Sequence, residues 1–163
     1  MAAGWTIAVE DPAAADIRAL LGVHLDLMRS QSPPESTHAL DIEALRDPSI
    51  RFLALREASA APGAGALLGV GALKRLDEAH GEIKSMHVAG RARGRGIAKA
   101  ILGEIERMAR EMGLARLSLE TGAPAGFAAA RGLYAANGYE PCAPFGTYRP
   151  DPFSVFMTKR IAA

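Results

Sequence analysis

The chain has 163 residues, the length of a single domain with a sizeable core. Hydrophobic residues make up 49% and charged residues 23%, which excludes a disordered chain, and no stretch approaches the roughly 18 apolar residues of a membrane span. A net charge of +1 argues against a general polyanion binder. The one cysteine, Cys142, excludes an internal disulfide, and Met1-Ala2-Ala3-Gly4-Trp5 lacks the pattern of a secretory signal, so a reducing cytoplasm is expected.

Trp5–Val9 reads as a short strand. Asp11-Pro12 offers an N-cap and a first-turn proline. Ile17, Leu20, Leu21, His24, Leu27 and Met28 then recur at helical spacing, predicting a helix to about Ser30. Ser32-Pro33-Pro34-Glu35-Ser36 breaks it, and a short helix over 42–46 is closed by Asp47-Pro48. Ile50–Glu57, residues 66–76 and residues 82–88 read as three strands joined by short turns, an antiparallel meander. In the third, Glu82, Lys84, Met86 and Val88 alternate with Ile83, Ser85 and His87, so His87 is expected on the face opposite Glu82.

The next helix shows Ile97, Ile101, Ile105, Met108 and Met112 on one face. Pairs Glu106–Arg110 and Arg107–Glu111 lie elsewhere on it, and Gly113 is its stop. A fifth strand over 116–121 follows through a right-handed crossover, hence parallel to the strand at 82–88. A helix over 125–137 ends at Asn137-Gly138, and strands near 139–141 and 153–160 finish the chain. One mixed α/β (α+β) domain spanning 1–163 is expected.

Basic charge concentrates in Arg91-Ala92-Arg93-Gly94-Arg95-Gly96, between a strand and a helix. Gly94 and Gly96 carry no Cβ to obstruct an anion, backbone N–H groups converge there, and the helix start adds its positive dipole end. The turn lacks the Gly-Lys-Ser/Thr ending of a nucleotide P-loop, and its approach strand belongs to an antiparallel meander. No Phe, Trp or Tyr lies between Gly81 and Gly113, which argues against a nucleic-acid surface.

The run Glu82-Ile83-Lys84-Ser85-Met86-His87-Val88, followed by Arg91-x-x-Gly94-x-Gly96-x-Ala98, resembles motif A of the GCN5-related N-acetyltransferase (GNAT) family. Ala130-x-x-Leu133-Tyr134-x-x-x-Gly138-Tyr139 is similar to its motif B. The resemblance implies a twisted mixed sheet, flanked by helices and splayed between its fourth and fifth strands, with acetyl-CoA in the opening. It implies pantetheine pairing with the backbone of Met86, His87 and Val88. The pyrophosphate would lie on Arg91, Ala92, Arg93, Gly94, Arg95, Gly96, Ile97 and Ala98, with no metal. Many members carry Asn where this chain has Phe127. A homodimer is common in the family, and the final strand offers an edge for one.

By the same resemblance Glu82 stands where some members place a general base. It reads equally as a carboxylate paired with its same-face neighbour Lys84. Glu120, across the expected split, is the rival base. Tyr134 matches the tyrosine that protonates the leaving thiolate, the alternative being core packing. The oxyanion donor is assigned to a backbone N–H near Met86 or His87. His24, on an apolar stripe, reads as a core or pocket-edge histidine and Cys142 as an inert buried thiol, so direct transfer is expected rather than an acyl-cysteine. The acceptor side falls to residues 32–40 and 145–154, with Glu35, His38, Phe145, Tyr148 and Arg149 as candidates for a small amine. A non-catalytic acyl-CoA-binding module is the competing reading.

Overall fold

Short apolar segments separated by turns or helices build four strands that pair in sequence order, the second and third of them nearly continuous buried runs. These are β1 (Trp5–Val9), β2 (Ile50–Glu57), β3 (Leu67–Arg75) and β4 (His80–Val88), antiparallel throughout. The computed structural model describes residues 4–36, 41–61 and 63–162. Strand β5 (Arg116–Gly122) joins β4 in parallel, β7 (Ser154–Arg160) pairs antiparallel to β5, and β6 (Glu140–Pro141) lies outside β7. The sheet therefore runs β1-β2-β3-β4-β5-β7-β6. The final strand, expected at an edge, is interior, because the short β6 closes back onto Met157 and Thr158. Among the described residues no helix is long and apolar enough to cross a membrane.

Helix α1 (Ala15–Gln31) and the single turn α2 (Ile42–Leu45) cover one face, burying Ile17, Leu21 and Leu45 against Phe52, Ala54 and Val70. Asp11 does not cap α1. The helix begins after Ala14, and Asp11 Oδ1 instead accepts the N–H of Ala13 at 2.9 Å, an Asx turn that precedes it. Asp41 caps α2, accepting from the N–H of Ala44. Helix α3 (Ile97–Glu111) covers the other face with Ile97, Ile101 and Ile105, each at most 2% exposed. It sits close because Gly71 of β3 has no side chain: a Cβ there would lie 2.6 Å from Met86 Sδ and 2.7 Å from Ile101 Cγ2. Gly113, at φ +77°, ends α3 as expected. Helix α4 (Ala128–Ala136) follows β5 and adds Tyr134 to the core of the α3 face.

One residue read as part of a surface pair is drawn inward. Glu106 of α3 is 8% exposed and accepts from Tyr139 Oη at 2.9 Å and from Lys159 Nζ at 3.0 and 3.1 Å, with Arg110 at 3.7 Å. This carboxylate ties α3 to the end of α4 and to β7. Burial first, then the Glu106 charge, holds the Tyr139 hydroxyl well above its ordinary range.

The alternation of β4 is interrupted. Register against β3 shifts between Val70↔His87 and Ala72↔Lys84, and Ser85 takes a left-handed φ of +57°. This bulge adds one residue to β4. Val70, Ala72 and Lys74 share one face of β3, so their partners His87, Lys84 and Glu82 share it too. The expectation that His87 opposes Glu82 is thus overturned by a single extra residue. There His87 meets His24 of α1, with Nδ1 to Nδ1 at 3.1 Å and ring centroids 4.9 Å apart. Burial, then the neighbouring His87, pushes His24 down to about 4; burial, then Arg93, lowers His87. Both rings are neutral at pH 7, and one proton lies between the two Nδ1 atoms.

Two consequences are measurable. Glu106→Ala removes the acceptor of Lys159 and Tyr139 and should cost about 3 kcal/mol in urea unfolding, whereas Tyr139→Phe should cost about 1 kcal/mol; equal losses would refute the network. For the histidines, the unfolded chain binds more protons than the native one between pH 6.5 and about 4. Stability should therefore fall as pH drops through that window, and His24→Leu should flatten the slope. An NMR titration midpoint for His24 at or above 6.5 would contradict the assignment.

Candidate active site

Strands β4 and β5 are paired over a short span, from His80↔Arg116 to Ile83↔Leu119. Past Ile83 the bulge turns β4 away, while β5 stays with β7 as far as Gly122. The β5-facing side of β4 beyond the bulge is left without a ladder partner among the described strands. A cavity of about 400 Å³ occupies the opening, a size that suits a small-molecule site. Met86, His87 and Val88 wall it from β4, Glu120 and Thr121 from β5, and Ala130 and Tyr134 from α4. His24, Leu27 and Met28 close it from α1, so the second half of that helix's apolar stripe faces the cavity rather than the core.

The glycine-rich turn lies at one end. Gly90–Ala92 makes a 3-10 turn after β4, and Gly94 and Gly96 follow at φ +79° and +80° with nothing within 4 Å of where a Cβ would stand. Gly96 is the N-cap of α3 and offers no side chain, so the first amides of the helix have no intrahelical acceptor. Such a turn accommodates a diphosphate on backbone N–H groups, which fits a coenzyme A donor. Its three arginines have different surroundings. Arg91 donates to the carbonyl of Leu67 at 2.7 Å and fastens the turn to β3. Arg95 pairs with Glu57 at 3.6 Å on the surface. Arg93 lines the cavity, as does Ala98, while Ala92 and Ile97 are buried.

At the other end Glu82, 4% exposed, sits in a closed triangle. Lys84 Nζ donates to Glu82 Oε2 at 3.0 Å and to Tyr148 Oη at 2.9 Å, and Tyr148 Oη donates to Glu82 Oε2 at 2.5 Å. The pairing with Lys84 is the one read from their shared face. Tyr148 arrives on the 145–154 loop, held by Phe145 at 5.1 Å and Phe156 at 5.5 Å between ring centroids. Burial, then Glu82, raises the Tyr148 hydroxyl far above its ordinary range and keeps it a donor. Glu120 faces the same cavity from β5. Tyr134, 5% exposed, reaches it from α4, and burial raises its hydroxyl as well.

Other expected residues lie apart from this group. Glu35 is exposed on the 3-10 turn Pro34–Ser36 and Arg149 is exposed on its loop; neither lines the cavity. His38 falls outside the described residues. Phe127 lines the cavity with its ring over Gly122, where a Cβ would come within 2.1 Å of it. Cys142 is half-buried away from the cavity, and burial raises its thiol. His24 takes the pocket-edge place that was one of its two expected positions, whereas the contributions of Leu27 and Met28 to the cavity were not expected. Their helical stripe was visible, but a stripe looks the same whether it meets a sheet or a void.

Comparison with known proteins agrees with this geometry. Residues 19–139 match the model of the acetyltransferase (GNAT) family. The chain is 44% identical to the uncharacterized N-acetyltransferase YedL of Escherichia coli (strain K12), over 94% of this chain and 93% of that one. A solved structure from Klebsiella pneumoniae subsp. pneumoniae, described as a candidate acyl-CoA N-acyltransferase, superposes with a TM-score of 0.76 at 31% identity, covering 97% and 98% of the two chains. A GNAT family acetyltransferase of Elizabethkingia anophelis, solved with acetyl-CoA bound, shares the fold at a TM-score of 0.64 and 15% identity, over 96% and 98%. The splayed sheet, the glycine cradle and these similarities together show that the chain belongs to the GNAT family of acetyltransferases.

Proposed function

We propose that the protein transfers the acetyl group of acetyl-CoA directly to a primary amine on a small acceptor, the transferred group being an acyl group other than aminoacyl. One observation carries this reading: a single cavity joins an amide-lined anion cradle at one end to paired carboxylate and phenol side chains at the other. Bound acetyl-CoA supplies an activated carbonyl carbon and a thiolate leaving group. The backbone of Met86, His87 and Val88 is the edge on which the pantetheine arm pairs as an added strand. The amides of residues 92–98 hold the diphosphate, helped by Arg93.

Glu82 removes the proton of the acceptor ammonium, directly or through water, so that the nitrogen lone pair can attack. Glu120 adds a second carboxylate on the same face of the opening. As the new C–N bond forms and the C–S bond breaks, a backbone N–H at Met86 or His87 donates to the carbonyl oxygen. Tyr134 gives its proton to the departing sulfur; the nitrogen, after attack, loses its second proton to solvent, Glu82 releases the first there, and Tyr134 is reprotonated from solvent. Its raised pKa suits that task, because the hydroxyl stays protonated at neutral and mildly alkaline pH. The half-buried Cys142 lies off the cavity, which favours direct transfer over an acyl-enzyme.

A second reading, an acyl-CoA-binding module without turnover, draws on the engagement of Glu82 by Lys84 and Tyr148. The two separate by kinetics. Glu82→Gln and Tyr134→Phe should each lower kcat by about 10²-fold or more while leaving the Kd for acetyl-CoA within about threefold. Thiol release from acetyl-CoA with an amine panel reads the first, and calorimetry the second. Tight acetyl-CoA binding with no amine-dependent release in the wild type would establish the module instead.

A further inference from the structure

A second cavity, of about 560 Å³, opens on the far side of the same triangle. Glu82, Lys84 and Tyr148 line both cavities and form the wall between them. The second is reached past the β3–β4 turn and is bordered by Lys74, Arg75 and His80 on one side and by Gly146 and Thr147 on the other. Arg75 is committed to the carbonyls of Asp77, Glu78 and Met112, and Asp77 Oδ1 accepts the N–H groups of Ala79 and His80. Lys74 stands directly opposite Glu82 in the β3–β4 register.

The triangle is not saturated. Both of its contacts to Glu82 fall on Oε2, and among the described residues no hydrogen bond falls on Oε1. An ammonium has three donors, and among the described residues Lys84 gives two, to Glu82 and to Tyr148. The side chains of Lys84 and Glu82 are 8% and 5% exposed, so neither charge is screened by bulk water. A ligand with an ammonium alone would draw Glu82 toward itself and weaken the only carboxylate contact of a buried lysine among the described residues. One carrying an anion alone would do the converse to Glu82. A ligand with both charges satisfies the open oxygen and the remaining donor together.

We infer that the acceptor is a zwitterion, a small amine bearing a carboxylate on the same molecule as amino acids do, and that Glu82, Lys84 and Tyr148 recognise its two charges. This rests on the acetyl-transfer reading above. Glu82 Oε1 faces the ammonium, and the third donor of Lys84 takes the carboxylate. Tyr148, fixed between Phe145 and Phe156, is the positioning residue that keeps both partners in register. Lys74 adds a second cation on the entry side. The pair of unfilled positions sets the substrate class: the amine and the anion must be close enough to reach two residues that already touch.

The test uses matched trios, each an amino acid, its amide and its decarboxylated amine, with thiol release and calorimetry as parallel readouts. At least one amino acid should exceed its own amide and amine in kcat/KM by about tenfold or more, and in Lys84→Met that ratio should collapse to about twofold or less. Lys84→Arg should retain the preference. If Lys84→Met does not fold, the double variant Glu82→Gln/Lys84→Met, which strands no charge, reads the loss of amino-acid binding by calorimetry. Turnover of amines with no preference for an anion in any trio would overturn the inference and leave acetyl transfer standing. Where acetyl-CoA binds but no amine is turned over, the acetyl-transfer reading fails. Calorimetry then decides: amino-acid binding abolished by the lysine variants upholds the zwitterion site, and no amino-acid binding removes it.

Discussion

Four residue pairs hold β4 to β5, and the functional features collect where that pairing stops. Parallel strands in a sheet normally continue side by side, because every unpaired N–H and C=O left behind costs free energy away from water. Here the extra residue at Ser85, strained into a left-handed conformation, twists β4 out of the plane before β5 has finished pairing with β7. The same residue exposes a strip of backbone that an extended ligand can complete, and moves His87 to the face of Glu82. On that face His24 of α1 meets it. One bulge thus defines the edge, the cavity and the packing of the helix that roofs it.

Around that opening the molecule distributes its polar groups unequally. At the glycine-rich turn the groups on offer are main-chain amides and the helix start, and two of the three arginines in the turn are held elsewhere, Arg91 on Leu67 and Arg95 on Glu57. At the opposite end they are charged side chains packed into a nearly dry wall. A buried ion pair is a poor source of stability, because desolvation offsets most of the attraction. Glu106 shows the structural use of such a charge: Tyr139 and Lys159 cover it and join three elements. Glu82 and Lys84 differ in that both line a cavity on either side and, among the described residues, keep an unfilled bonding position each. That difference separates a charge kept for architecture from one kept for a ligand.

Most of the fold was legible in the sequence. Apolar runs and period-3.6 patterns, with Gly113 and Asn137-Gly138 as stops, placed the strands and the helix ends to within about two residues, while α1 and α4 each begin three residues later than expected, α4 after a 3-10 turn over Ala125–Phe127. The parallel β4–β5 pairing followed from the handedness of the crossover. The failures share a cause. The bulge at Ser85 is invisible to alternation, because one inserted residue preserves composition and reverses every side chain after it. Asp11 and Pro12 form a turn that is chemically the same as a helix cap. Glu106 looked solvated because its partners, Tyr139 and Lys159, lie over thirty residues away, beyond the reach of any local pattern. The Glu82–Lys84 pair could be read because both residues sit on one strand, two apart; Tyr148, 64 residues from Lys84, could only be named as a loop candidate.

This contrast explains why a resemblance carries so much about one substrate and so little about the other. The anion cradle is read by backbone, so it constrains the sequence only where a Cβ or a positive φ would interfere, and that leaves a recognisable glycine spacing. The end of the cavity proposed for the acceptor is walled by side chains from β4, from α1 and from the 145–154 loop, which are distant in sequence and held together only by the tertiary fold. Each can change without disturbing the strands that carry it. Divergence in acceptor choice is therefore the expected outcome for this architecture, and on the reading proposed above the charges on either side of Tyr148 would set the specificity of this chain.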